Sequence, residues 1–166
     1  MKRVFSTKLH FPYTLHFGGQ SMPDLVTRME RRINVPLSPW LKAALASKSF
    51  QAHSALQSST VVALTPEELG LTQGPGRVRF SHVLDPEVRR KKHLSLCSHD
   101  VAFALFLSLQ GKFEGERLLL ISLPLHDHQQ DPVLLEVGDS IPGVQAVWAK
   151  PTFPTLWYQR LLFIGN

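Results

Sequence analysis

The sequence predicts an α+β fold: short helices and strands in the N-terminal two-thirds, one mostly buried helix, then a C-terminal antiparallel β-meander. Three observations lead there. Helix-start signatures recur at Ser21-Met22-Pro23-Asp24, Ser38-Pro39 and Asp85-Pro86. The run Val101–Leu109 is apolar nearly all round, which suits burial between other elements. After Gly111, apolar runs alternate with turn residues to the end of the chain. With 166 residues, one domain spanning 1–166 is expected, able to bury roughly two-thirds of its unfolded surface.

Residues 3–17 are rich in β-branched and aromatic types and read as a strand, broken or placed at an edge by Pro12 and ended by Gly18-Gly19. Ser21 then caps a helix with Asp24 at the reciprocal position. Its stripe is Leu25, Val26, Met29 and Ile33, and Asn34 with Pro36 stops it. Ser38-Pro39 restarts a helix carrying Leu41, Ala44 and Leu45, with proline where its missing N–H is harmless. Residues 51–60 (QAHSALQSST) are small and polar and read as a mobile loop. Val61–Leu64 reads as a short strand and Thr65–Gly70 as a helical turn.

Arg77–Leu84 alternates, with Val78, Phe80, His82 and Leu84 on one face, and is expected to be a strand with His82 in the core. Asp85-Pro86 caps a helix whose last turn holds Arg89, Arg90, Lys91 and Lys92, where cations complement the dipole. Ser98 is expected to cap the apolar helix that ends before Gly111. Arg117–Leu125, Val133–Val137, Val144–Lys150 and Leu156–Ile164 read as the four strands of the meander.

Charge is unevenly spread. Residues 1–110 carry 14 Lys+Arg against 7 Asp+Glu, whereas residues 111–166 carry 4 against 6. A lone cysteine, Cys97, excludes an internal disulfide and a cysteine-ligated zinc finger. No run approaches the roughly 18 apolar residues of a membrane span. Lys8 and His10 interrupt what would be the apolar region of a signal peptide, so a cytoplasmic protein without a membrane partner is expected.

The function expected from this pattern is non-enzymatic nucleic-acid binding. Arg28, Arg31, Arg32, Arg77, Arg79, Arg89, Arg90, Lys91 and Lys92 would contact phosphates if their elements converge on one face. Arg77 and Arg79, on one strand face, would sit about 7 Å apart. Tyr13, Phe17 and Trp40 are the candidate stacking aromatics. The competing reading is that each cation decorates its own solvated face. An alternative function is an assembly module, since the terminal strand ending in Leu156–Asn166 is either interior or an edge that pairs with a partner chain. A weaker alternative is a histidine-dependent hydrolase.

No catalytic residue, metal or cofactor is assigned. His126 and His128 with Asp131 have the types of a metal site but lack a third firm ligand among them, and a polar hairpin loop explains the same residues. Cys97 next to Ser98, His99 and Asp100 combines reactive types, yet sequence neighbours seldom form a nucleophile–base pair.

Overall fold

The structure, a computed structural model, describes residues 9–71, 78–140, 142–152 and 160–166. Its elements in chain order are β1 (Tyr13–Phe17), α1 (Met22–Ile33), α2 (Pro39–Leu45), β2 (Gln57–Leu64), α3 (Phe80–Val83), α4 (Pro86–Lys91), β3 (Leu94–Ser95), α5 (Asp100–Leu109), β4 (Arg117–His126), β5 (Pro132–Gly138), β6 (Val144–Trp148) and β7 (Arg160–Gly165). The class is α+β. No helix among the described residues is long and apolar enough to cross a membrane.

The helices form where their local chemistry asks for them. Ser21 Oγ accepts the Asp24 N–H at 3.3 Å to start α1, and Asn34 ends it in the left-handed region (φ 55°). Leu25, Met29 and Ile33 face inward at helical spacing. Ser38 caps α2 by accepting the Leu41 N–H at 3.1 Å. Asp85 caps α4 and leaves the cations in its last turn. α5 buries seven of its ten residues, Asp100, Val101, Ala102, Phe103, Leu105, Phe106 and Leu109.

The strands form one mixed sheet in the order β1-β2-β7-β4-β5-β6, with β3 pairing the far end of β7. β4, β5 and β6 make the antiparallel meander. The last strand does not extend it. Instead β7 lies between β2 and β4, antiparallel to the first and parallel to the second. Leu161, Leu162 and Phe163 are all buried, a pattern that belongs to a strand covered on both faces. Arg160 donates through Nε and Nη2 to the two carboxylate oxygens of Glu116, just before β4, a bidentate pair that supports the parallel register. The terminal strand is therefore interior, and an edge contact there with a partner chain has no free ladder to use.

Both faces of this sheet are covered. Leu118, Leu120, Val133, Leu135 and Leu162 pack with α1, α2 and α5 on one side. Leu119, Ile121, Leu134, Leu161 and Phe163 pack on the other with Phe80 and Val83 of α3 and with Val88 of α4. Pro124, which cannot donate to a ladder, falls where the β4–β5 register shifts between Leu120 and Leu125.

Three local expectations change. Residues 78–84 are not a strand. Phe80 and Val83, three apart, bury together on one helical turn, and half-buried His82 turns back to accept the Arg79 N–H at 3.2 Å. Gln57–Thr60, expected in a mobile loop, belong to β2 and pair with Thr14–Phe17. Their small polar side chains suit an exposed ladder held by its backbone. The N-terminal strand begins only after Pro12; residues 3–8 of the expected strand, and residues 156–159 of the last one, lie outside the described residues.

Gly143, at φ 83°, turns the chain between β5 and β6, and a Cβ there would overlap the buried Phe106 ring. Gly143→Ala combines left-handed strain with overpacking. It should lower the unfolding free energy by about 2–4 kcal/mol in urea titrations. A loss below about 0.5 kcal/mol would mean that the ring yields freely.

Candidate functional site

The expected basic residues fall on two opposite sides of the sheet. Because Leu25, Met29 and Ile33 turn α1 inward, Arg28, Arg31 and Arg32 project outward on the side shared with α5. Arg32 Nε donates to Gln110 Oε1 at 2.6 Å, tying α1 to the end of α5. Arg79, before α3, and Arg89, Arg90, Lys91 and Lys92, at the end of α4, lie on the other side. The eight of these cations that lie among the described residues therefore do not form one surface. Arg77 lies outside the described residues, so its expected pairing with Arg79 does too. Arg79 is not on a strand.

Within the α4 group, Arg90 pairs with Glu87 at 2.6 Å on an exposed face. Lys91 and Lys92 are exposed and have no carboxylate within 4.0 Å among the described residues. Arg89 is half-buried, and its Nε is out of solvent with no hydrogen-bond partner among the described residues. Val88 anchors this helix in the core beneath it. A cleft of about 540 Å³ opens beside Lys92 and His93, with Val62, Leu64 and Leu94 as its apolar wall and Glu68 at its rim.

The candidate stacking aromatics are partly core. Phe17 is buried with its ring edge-on to His53 at 5.2 Å, and Tyr13 packs half-buried on the same cluster.

A second constellation sits at the start of α5. Ser98 is not the cap, since His99 occupies that position. Ser98 Oγ donates to Asp100 Oδ1 at 2.5 Å and lies 3.0 Å from His53 Nδ1, while Asp100 Oδ2 accepts the His53 N–H at 3.1 Å. With its hydrogen committed to Asp100, Ser98 is a bridge between imidazole and carboxylate. A nucleophile relay needs the imidazole between the other two groups, and that order is not the one found.

Buried His99 has an assigned tautomer on geometric grounds. Its Nδ1 accepts the Gln51 N–H at 2.8 Å, so the proton belongs on Nε2, which donates to the Leu123 carbonyl at 2.8 Å. The ring stacks on Phe50 at 5.4 Å. Burial pulls its pKa down, against the opposing effects of those backbone contacts and of Asp100. Cys97 is also buried. Its thiol meets the Leu162 carbonyl at 3.7 Å, and burial together with Asp100 pushes its pKa up, so it has none of the thiolate character of a reactive cysteine.

The residues 127–131 connect β4 to β5 as a hairpin loop organised by Asp127. Asp127 Oδ1 accepts the backbone N–H groups of Gln129 (2.9 Å) and Asp131 (3.0 Å). Its Oδ2 accepts the indole N–H groups of Trp40 (3.1 Å) and Trp148 (3.4 Å). Asp131 pairs with Lys150 at 3.3 Å and His126 Nδ1 meets Ser49 Oγ at 3.2 Å, so the expected metal donors are occupied separately. No group of three or more His, Cys, Asp or Glu is placed to hold a metal among the described residues. Burial acts to raise the Asp127 carboxyl, but the indole and backbone donors outweigh it and hold the pKa at about 2.

The two indoles meet edge-to-face, ring centres 5.6 Å apart, and with Asp127, His128, Gln129 and Ala146 line a pocket of about 500 Å³. Trp148 is 52% exposed, which is unusual for so large an apolar side chain. No local sequence signal announces this site, because Trp40 and Trp148 come from α2 and β6 and meet only in the fold.

His99 yields a stability prediction. Its folded pKa lies below the ordinary value of 6.5, so its contribution is complete above that pH. Below it, the unfolded chain takes up the proton first, and stability falls as pH drops from about 6.5 toward the lower folded pKa. His99→Gln should be less stable at pH 7 and should lose most of this slope; an unchanged slope would assign it to other groups. Comparison of the chain with protein-family models, curated proteins and solved structures gives no match.

Proposed function

We propose that this is a non-enzymatic nucleic-acid-binding protein that grips phosphates through the side carrying α3 and α4. The observation that supports it best is the run Arg89–Lys92 at the end of α4, opposed among the described residues by one recorded ion pair, Arg90 with Glu87. Four cations on a helix whose backbone is already packed need no backbone ordering to bind, and each phosphate contact releases condensed counterions. Arg79 lies on the same side and extends the charge. The neighbouring cleft adds apolar wall beside Lys92, a place for a sugar or base while the ammonium meets phosphate. Arg28, Arg31 and Arg32 face away from this surface and are assigned no part in the same contact.

With three to four phosphates engaged, a labelled oligonucleotide followed by anisotropy should show a log–log salt slope of roughly −3, about a 60-fold loss between 50 and 200 mM salt. The double variant Lys91→Glu/Lys92→Glu should weaken binding at least about tenfold and flatten that slope by about 2. Arg28→Glu/Arg31→Glu should stay within about twofold of the parent. Salt-independent binding, or equal loss in both variants, would refute the assignment to the α4 surface.

A further inference from the structure

We propose that the pocket between Trp40 and Trp148 is a binding site for a methylated ammonium group, supplied by a methylated lysine side chain of a partner peptide. The site is separate from the phosphate-gripping surface and selects the opposite charge.

The reasoning begins with the carboxylate. Asp127 is only 3% exposed, yet no Lys, Arg or His among the described residues forms an ion pair with it; Lys150 goes to Asp131 instead. Among the described residues its charge is met by four N–H dipoles. A buried anion with no ion-pair partner among the described residues makes the pocket in front of it attractive to a cation and hostile to a phosphate. Both indoles turn their N–H edges to this one oxygen, which locks the two rings at 67° to each other. Ring faces attract cations, and two fixed faces at a steep angle form two walls of a cage.

The same hydrogen bonds select the kind of cation. A carboxylate offers about four acceptor positions, and four donors already use them here. A bare ammonium or a guanidinium would enter with donors it cannot satisfy at that group. A fully methylated ammonium has no N–H to satisfy, so it meets the ring faces and the charge without an unpaired donor. The carboxyl, held at about 2, stays ionised throughout the neutral range.

The peptide origin follows from where the pocket lies. β6 ends the sheet, and Trp148 is its last residue. The bonds Ala149 N–H to the Pro132 carbonyl and Gly138 N–H to the Gly143 carbonyl set which residues face β5. By alternation, the backbones of Val144, Ala146 and Trp148 turn to the outer edge, which has no partner strand among the described residues. An extended peptide could add there and drop one long side chain into the pocket at the corner that the two indoles enclose.

Titration calorimetry and indole N–H spectra on the full chain test this, with a trimethyllysine peptide, the same peptide with unmodified lysine, its neutral tert-butyl isostere, and choline. The trimethyllysine peptide should bind at least about tenfold tighter than the other three and shift the Trp40 and Trp148 signals. Trp148→Ala, with Asp127 still held by Trp40, Gln129 and Asp131 and the fold checked by the unmoved amide spectrum away from the pocket, should weaken it about 10- to 30-fold. Trp148→Phe should retain part of the affinity. Equal binding of the neutral isostere, or unmoved indole signals, would overturn the cation site. Choline binding as tightly as the peptide would overturn the peptide origin.

Discussion

The two-sided burial of β7 and β4 is the constraint on which the rest of the structure depends. Leu118–Ile121 and Leu161–Phe163 are buried without a polar residue between them, so neither face of the central sheet can be left to water. Each face needs its own layer. α5 can cover only one, lying over β1, β5 and β6, with α1 packed on α5 and α2 on β4 and β6. The short α3 and α4 must then serve the other, which explains why the alternating residues 78–84 become a helical turn: the far side of the sheet needed Phe80 and Val83 together. A strand there would have pointed only every second residue at the sheet.

The same constraint decides the electrostatics. Most cations stay outward on the helix that carries them, so a sheet with helices on both sides parts Arg28, Arg31 and Arg32 from the group at Arg89–Lys92. A basic composition alone does not reveal this. The net charge of +5 is a property of the chain, whereas a phosphate backbone meets one side at a time. The α4 group gains from its separation, since its cations sit together and its helix is fixed through Val88.

What was legible in the sequence was local. The caps at Ser21, Ser38 and Asp85 and the stripe Leu25–Met29–Ile33 act within a few residues, and each formed as its chemistry asked. The apolar helix was legible because its residues are apolar nearly all round, and seven of its ten are buried. The place of β7 was not legible, because its partners β2 and β4 lie far away along the chain and the choice rests on two-sided burial. Ser98 illustrates a closer failure. Its sequence position suits a cap, but His53, from a loop pinned by Gly19 and His99, offers a better partner. Gln57–Thr60 misled in the same way, since a ladder with β1 needs no apolar side chains.

The Trp40–Asp127–Trp148 site shows how a turn becomes a recognition element. Asp127 must accept backbone N–H groups to close the β4–β5 hairpin, and that task alone uses only one of its oxygens. The second oxygen would carry an unmet charge in a buried position, a costly arrangement. Two indole N–H groups remove that cost, and in doing so bring α2 and the edge strand β6 to the same point. The rings are large and cannot both bury, so Trp148 remains half in solvent beside an ionised group. The hairpin, the docking of α2 and the exposed aromatic wall are thus consequences of one carboxylate. Chemistry that satisfies the turn also leaves a cavity whose walls prefer positive charge and whose hydrogen bonds are already spent.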